Sequence, residues 1–142
     1  MEDKLIWQQL FEVYFLLDEK IMEGNMRDKS KVFAIVFSTV YPLYIQKVEK
    51  KGRLKSEVDE VIYWLTGYDE NSFIEQINKG VDLKTFFDEA PQINPNANKI
   101  TGMICGIRIE DIDDPTIQKI RWLDKLVDEI AKGRTMDKIL RK

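Results

Sequence analysis

The sequence contains no histidine and a single cysteine, Cys105. Without imidazole there is no Ser-His-Asp or Cys-His pair, no histidine-bound metal, and no side chain whose ordinary titration falls near neutral pH. One thiol excludes an internal disulfide and the usual zinc frameworks. Long hydrophobic runs are lacking too. The most apolar stretch, residues 5–17, is broken by Gln8, Gln9 and Glu12 and falls short of the roughly 20 residues a membrane-spanning helix needs. The opening Met-Glu-Asp-Lys has no positive signal region and no small-residue cleavage site follows, so the expectation is a cytoplasmic protein with no membrane association. An excess of basic charge is also missing: the net charge of −3 argues against a protein that coats nucleic acid through its overall field.

What is present is a chain of 142 residues, 44% hydrophobic and 33% charged, which suits one buried core rather than disorder. Residues 3–23 carry Ile6, Leu10, Val13, Tyr14, Leu17 and Ile21 at helical spacing, closed by Gly24-Asn25. Trp7, Phe11, Phe15 and Met22 lie off that stripe, so this helix calls for burial on two sides, within its own core or against a second copy in a homodimer. Residues 31–37, KVFAIVF, are β-branched and aromatic and read as a strand.

Thr39 then caps a helix through Lys51, with Pro42 in its first turn and Gly52 at its end. Ser56, with Asp59 three residues on, opens the next, whose buried stripe is Val58, Val61, Ile62 and Leu65 and whose end is Gly67. A short helix runs from Ser72 to Gly80 with Phe73, Ile74 and Ile77 inward; another starts at Asp82 with Leu83, Phe86, Phe87 and Ala90, and stops at Pro91. Residues 91–99 are loop. Alternation of Met103, Cys105, Ile107 and Ile109 predicts a strand over 100–109, paired with 31–37. Asp114 caps and Pro115 begins a long helix to Lys132, with Ile117, Ile120, Trp122, Leu123, Leu126, Val127 and Ile130 apolar, so that it should be central; residues 135–142 add a short basic helix. The fold class is mainly α: a small multi-helix orthogonal bundle with a short two-stranded β element, residues 26–142 forming one domain and 1–25 an N-terminal helical extension.

Lys47, Lys50, Lys51, Arg53 and Lys55 suggest a phosphate grip, yet Glu49, Glu57, Asp59 and Glu60 nearly cancel them, and cations at one helix end facing anions at the next helix's start are what helix dipoles favour. A helix-turn-helix built on residues 56–79 would present Glu75 with Lys79 and place Asp69 and Glu70 before its reading helix, a surface that repels a duplex. EDIDDP, residues 110–115, gathers four carboxylates in five residues but lacks a calcium-loop pattern, and capping explains it. GMICG, residues 102–106, surrounds Cys105 with glycines yet lacks the Lys and Ser/Thr of a phosphate loop. The expectation is therefore no metal ligands and no cofactor. Tyr41, Tyr44, Tyr63, Trp64 and Tyr68 remain as binding candidates, because the stripe of the 56–66 helix leaves its aromatics on the flanks. Cys105 and Arg108 join them as candidates for a small-ligand or carboxylate-based site near 102–114.

Two stretches, VYPLYIQKVEKKGRLKSEVDEVIYWLTGYD from Val40 and FFDEAPQINPNANKITGMICGIRIEDIDDPTIQKIRWLDKLVDEIAKGRTMDKILRK from Phe86, resemble a bacterial family known as domain of unknown function 2200. The resemblance covers about residues 26–142 and leaves the preceding helix without a counterpart. It implies a small, mainly helical cytosolic bacterial protein and supplies no activity, cofactor or catalytic residue. The leading reading is a non-enzymatic protein-interaction module. The alternatives are the ligand or carboxylate site near 102–114 and weak nucleic-acid binding through 47–55 and 132–142.

Overall fold

The computed structural model describes residues 32–104 and 106–142. The helix expected over 3–23 and the candidate Cys105 lie outside the described residues. The helices are α1 (Phe37–Glu49), α2 (Lys55–Thr66), α3 (Glu70–Lys79), α4 (Leu83–Asp88), α5 (Pro115–Ala131) and α6 (Met136–Ile139), with 3-10 turns at Pro95–Lys99 and Ile109–Asp111. Strands β1 (Met103–Ile104) and β2 (Ile107–Arg108) pair antiparallel, Met103 opposite Arg108 and Ile104 opposite Ile107. The architecture is therefore mainly α with one short two-stranded sheet.

Helix α5 is the axis on which the rest packs. Asp114 Oδ1 accepts the Ile117 N–H at 3.0 Å and Pro115 occupies the first turn, so the helix starts where its cap and proline dictate. Helices α1, α2, α4 and α6, strand β1 and the Ile109–Asp111 turn all contact it. Ile117, Ile120, Leu123, Leu126, Val127 and Ile130 are buried there, each side chain contributing about 1.5–3 kcal/mol relative to exposure. So are Arg121, Asp124, Asp128 and Glu129, because other elements pack on several sides of this helix.

Three sequence expectations are corrected. Among the described residues, 32–37 form no strand paired with the 100–109 stretch. Within the described residues 32–37, Val36 alone is bridged, to Asp82: Phe37 N–H donates to Val81 O at 2.9 Å and Leu83 N–H to Ile35 O at 2.8 Å. Phe37 already starts α1, because Phe37, Val40, Tyr44 and Val48 continue a helical stripe into the core and the Phe37 ring stacks on Phe86, centroids 3.9 Å apart. The alternation over 100–109 is not one strand but the two arms of a hairpin folded on themselves, with Gly106 at φ +82° in the turn. Ile74, expected inward, is 47% exposed, while Gln76 is buried.

Boundaries shift for local reasons. With the start at Phe37, Pro42 lies inside α1 rather than in its first turn. Helix α2 is capped by Glu57, whose Oε1 accepts the Leu54 N–H at 3.0 Å, not by Ser56. Helix α3 starts from Asp69, which accepts the Ser72 N–H at 2.8 Å while Asp69 N–H donates to Ser72 Oγ at 3.0 Å.

The C-terminal end of α2 is strapped down. Gly67 adopts a left-handed φ of +80°, and the chain after α4 returns across it. Gln92 N–H donates to Thr66 O at 3.1 Å, Asn94 N–H to Leu65 O at 2.9 Å, and Asn94 Nδ2 to Trp64 O at 3.2 Å. Three carbonyls that a helix end leaves without intrahelical partners are thereby satisfied.

Candidate functional site

Where α1, α2 and α3 meet, they enclose a cleft of about 140 Å³ lined by Tyr41, Lys55, Asp59, Tyr63, Glu70, Phe73, Ile74 and Ile77. Its construction follows from two helical stripes. On α2, residues 55, 59 and 63 recur every four positions, beside the buried stripe of Val58, Val61, Ile62 and Leu65. On α3, residues 70, 73, 74 and 77 repeat at i, i+3, i+4 and i+7. Tyr41 comes from α1, one turn beyond Phe37.

Phe73 is the floor. Tyr41 meets it edge-on, with centroids at 5.1 Å and planes at 82°, and Tyr63 does so at 5.6 Å and 76°. Such T-shaped pairs add about 0.5–1.5 kcal/mol beyond burial and fix the two tyrosines as walls. The polar end is built on Asp59, which accepts a short hydrogen bond from the Tyr41 hydroxyl on Oδ1 and a 2.8 Å bond from Lys55 Nζ on Oδ2. Lys55 Nζ stands 5.7 Å from the centre of the Tyr41 ring. Burial, then the bond to Asp59, pushes the Tyr41 phenol up to about 12; the bond to Asp59 foremost raises the Lys55 ammonium above its usual range. The Tyr63 phenol is also raised, by burial first and then by the charges of Asp59 and Glu70. The Tyr41 hydroxyl thus stays protonated as a donor and Lys55 stays charged, an arrangement suited to holding a ligand rather than to moving protons at neutral pH.

The remaining aromatic candidates have other placements. Tyr44 is buried and its hydroxyl donates a short hydrogen bond to Asp124, which also lies 3.4 Å from Arg121 Nη1. Tyr68 is buried and donates to Phe86 O at 2.7 Å. Trp64 is half-buried against the core. Tyr41 and Tyr63 therefore share one cleft, and Tyr44, Trp64 and Tyr68 are not among its lining residues. Lys55, Asp59, Glu70, Phe73, Ile74 and Ile77 complete it and were not among the sequence candidates for an aromatic site; the 55/59/63 spacing was the signal for Lys55 and Asp59.

Around the cleft's supporting helices, charge is paired. Lys47, read as part of a basic cluster, is buried, with its Nζ 3.3 Å from Asp128 Oδ1; Lys132 Nζ lies 2.9 Å from Asp128 Oδ2. Burial pushes the Asp128 carboxyl up, but these two ammonium groups outweigh it and leave it below its ordinary value. Arg53 donates to Glu57 at 2.9 and 2.6 Å and to the carbonyls of Ile130 and Arg134 at 3.1 and 2.8 Å, closing the end of α5. Arg141 and Arg134 both hold Glu129, at 2.7 and 2.9 Å.

Arg108 sits on β2 with its side chain 58% exposed and 3.9 Å from Asp111, away from the aromatic lining. Glu110 accepts the Gly102 N–H at 3.0 Å and Asp114 caps α5, so two of the four neighbouring carboxylates have structural roles. Among the described residues no group of His, Cys, Asp and Glu is placed to hold a metal ion, and no helix is long and apolar enough to cross a membrane.

Residues 31–141 match the family described as "Uncharacterized protein conserved in bacteria (DUF2200)". A crystal structure of an uncharacterized protein, SP1917, is similar at 45% identity with a TM-score of 0.73, covering 78% of this chain and 90% of that one. No curated protein matches. The chain belongs to the DUF2200 family.

Proposed function

We propose that this DUF2200 member is a non-enzymatic protein-interaction module whose contact surface is the cleft between α1, α2 and α3. The observation that carries the reading is the placement of Ile74. It is 47% exposed on the rim of a cleft whose floor and walls are Phe73, Tyr41 and Tyr63. Rigid aromatics beside an exposed aliphatic side chain are the composition of an interface centre. A site this small accepts one side chain of a partner, with Ile74 extending the apolar contact outward.

The test is affinity purification from a bacterial lysate with the wild-type chain and with Ile74→Asp, after far-UV and near-UV spectra establish that the variant is folded. Proteins retained by the wild type and lost specifically with Ile74→Asp are expected. Identical retained sets would refute this surface as the contact.

A further inference from the structure

Lys55 occupies a place that its own helix disfavours. It is the first residue of α2, where the positive end of the helix dipole repels a cation. Its bond to Asp59 runs with the cation N-terminal to the anion, the weaker order for an i, i+4 pair. The side chain is 55% exposed, so burial does not hold it either. What retains the ammonium is the cleft itself: the carboxylate of Asp59 at 2.8 Å and the Tyr41 ring at 5.7 Å. Lys55 therefore marks a cation site by occupying it.

The rest of the lining agrees with a cationic guest. Asp59 and Glu70 outnumber Lys55 by one charge. Three aromatic rings stand around the same space, and aromatic walls with a carboxylate are the recurring means of holding an ammonium or guanidinium group. The apolar half of the lining, Ile74 and Ile77, lies one helical turn beyond Glu70 and Phe73 on α3, so a guest should present a cation and an aliphatic residue side by side.

We infer that the cleft receives a lysine or arginine side chain from a basic amphipathic helix of a partner protein, which displaces Lys55 from Asp59 and Tyr41 and lays an aliphatic neighbour on Ile74 and Ile77. This rests on the interaction-module reading and names the chemistry of the partner. A helix supplies both contacts because cationic and aliphatic residues three or four positions apart share one face.

The probe is a synthetic helical peptide carrying lysine and leucine on one face, titrated into the full chain while the Ile74 and Ile77 methyl resonances are followed. A matched peptide with norleucine in place of lysine is the comparison. The lysine peptide should shift both methyl signals and bind about two- to five-fold more tightly than the norleucine peptide, the range of one partly exposed cation–aromatic contact. Lys55→Ala should tighten the lysine peptide, whereas Lys79→Ala, removing an exposed charge outside the cleft lining, should not. Asp59→Asn should weaken it. If both peptides shift Ile74 and Ile77 with equal affinity, the cation inference fails and the interaction surface stands. If neither peptide moves those signals, both fail. Equal tightening by Lys55→Ala and Lys79→Ala would show only the general charge of the protein and would also overturn the inference.

Discussion

Gly67→Ala should destabilise the protein by about 1.5–3.5 kcal/mol, and Gly80→Ala by about 1–2 kcal/mol, although both glycines end helices in the same left-handed conformation. Their φ values are +80° and +67°, so an alanine at either meets the same backbone penalty, about 1–2 kcal/mol. The surroundings differ. A Cβ at Gly80 would meet nothing within 4 Å, whereas at Gly67 it would lie 2.9 Å from Gln92 O and 3.0 Å from Gln92 N. Backbone cannot rotate aside as a side chain can, so the strap that closes α2 must move. The bond from Gln92 N–H to Thr66 O at 3.1 Å is the first to go, adding about 0.5–1.5 kcal/mol, and the Asn94 bonds to Leu65 and Trp64 follow if the strap lifts further. Urea denaturation followed by tryptophan fluorescence reads both variants, and Trp64 reports from the strapped segment itself. In a chain this size each kcal/mol corresponds to a fall of roughly 2–4 °C in Tm. Equal losses for the two variants would refute the claim that close backbone approach, beyond the positive φ, is what requires glycine at 67.

Further outcomes follow from the buried charges and the tyrosines. Asp124→Ala takes the carboxylate from the Tyr44 hydroxyl and from Arg121, all fully or nearly fully buried, and should cost about 3–5 kcal/mol by denaturant titration, with Asp124→Asn costing less because it keeps an acceptor; a loss under 1 kcal/mol would refute the role of this pairing. The Tyr41 and Tyr68 phenols are both pushed up to about 12, chiefly by burial, while a phenol in the unfolded chain titrates near 10. Their stabilisation is thus complete below about pH 10 and lost as pH rises towards 12, and Tyr41→Phe and Tyr68→Phe should each remove one late step from the tyrosinate absorbance curve; an unchanged curve contradicts the placement. Deleting residues 1–25 should reduce self-association measured by light scattering, and equal masses with and without them would remove the homodimer reading.

The legible parts of the fold were those written in local spacing. Val58, Val61, Ile62 and Leu65 form a buried stripe because period 3.6 alone specifies it, and Asp82, Asp114 and Pro115 mark helix starts because capping is a short-range interaction. The errors arose where two local codes overlap. A β-branched run at 31–37 fits a strand, but Phe37 belongs to the next helix's stripe, and stacking on Phe86, far along the chain, decides between them. An alternating run at 100–109 fits either one strand or a tight hairpin, and the positive φ of Gly106 belongs to the hairpin.

The aromatic candidates show why a site is harder to read than a stripe. Tyr41, Tyr44 and Tyr68 look alike in sequence, but each hydroxyl finds a partner that no spacing rule supplies: Asp59 on α2, Asp124 on α5 and the Phe86 carbonyl on α4. Lys47 and Lys55 are both lysines of one apparent basic cluster. Lys47 reaches Asp128, eighty-one positions away, and becomes part of the core, while Lys55 reaches one helical turn ahead to Asp59 and stays half in solvent. The same split sorts the cluster's energetics. Losing Lys47 takes from a buried carboxylate the buried one of its two counter-charges, leaving only the exposed Lys132, a structural defect. Losing Lys55 removes a surface ion pair worth little to stability and opens a carboxylate flanked by aromatic rings. Stability should therefore fall with Lys47→Ala and barely change with Lys55→Ala, so the effect of the latter on peptide affinity can be read without a folding correction.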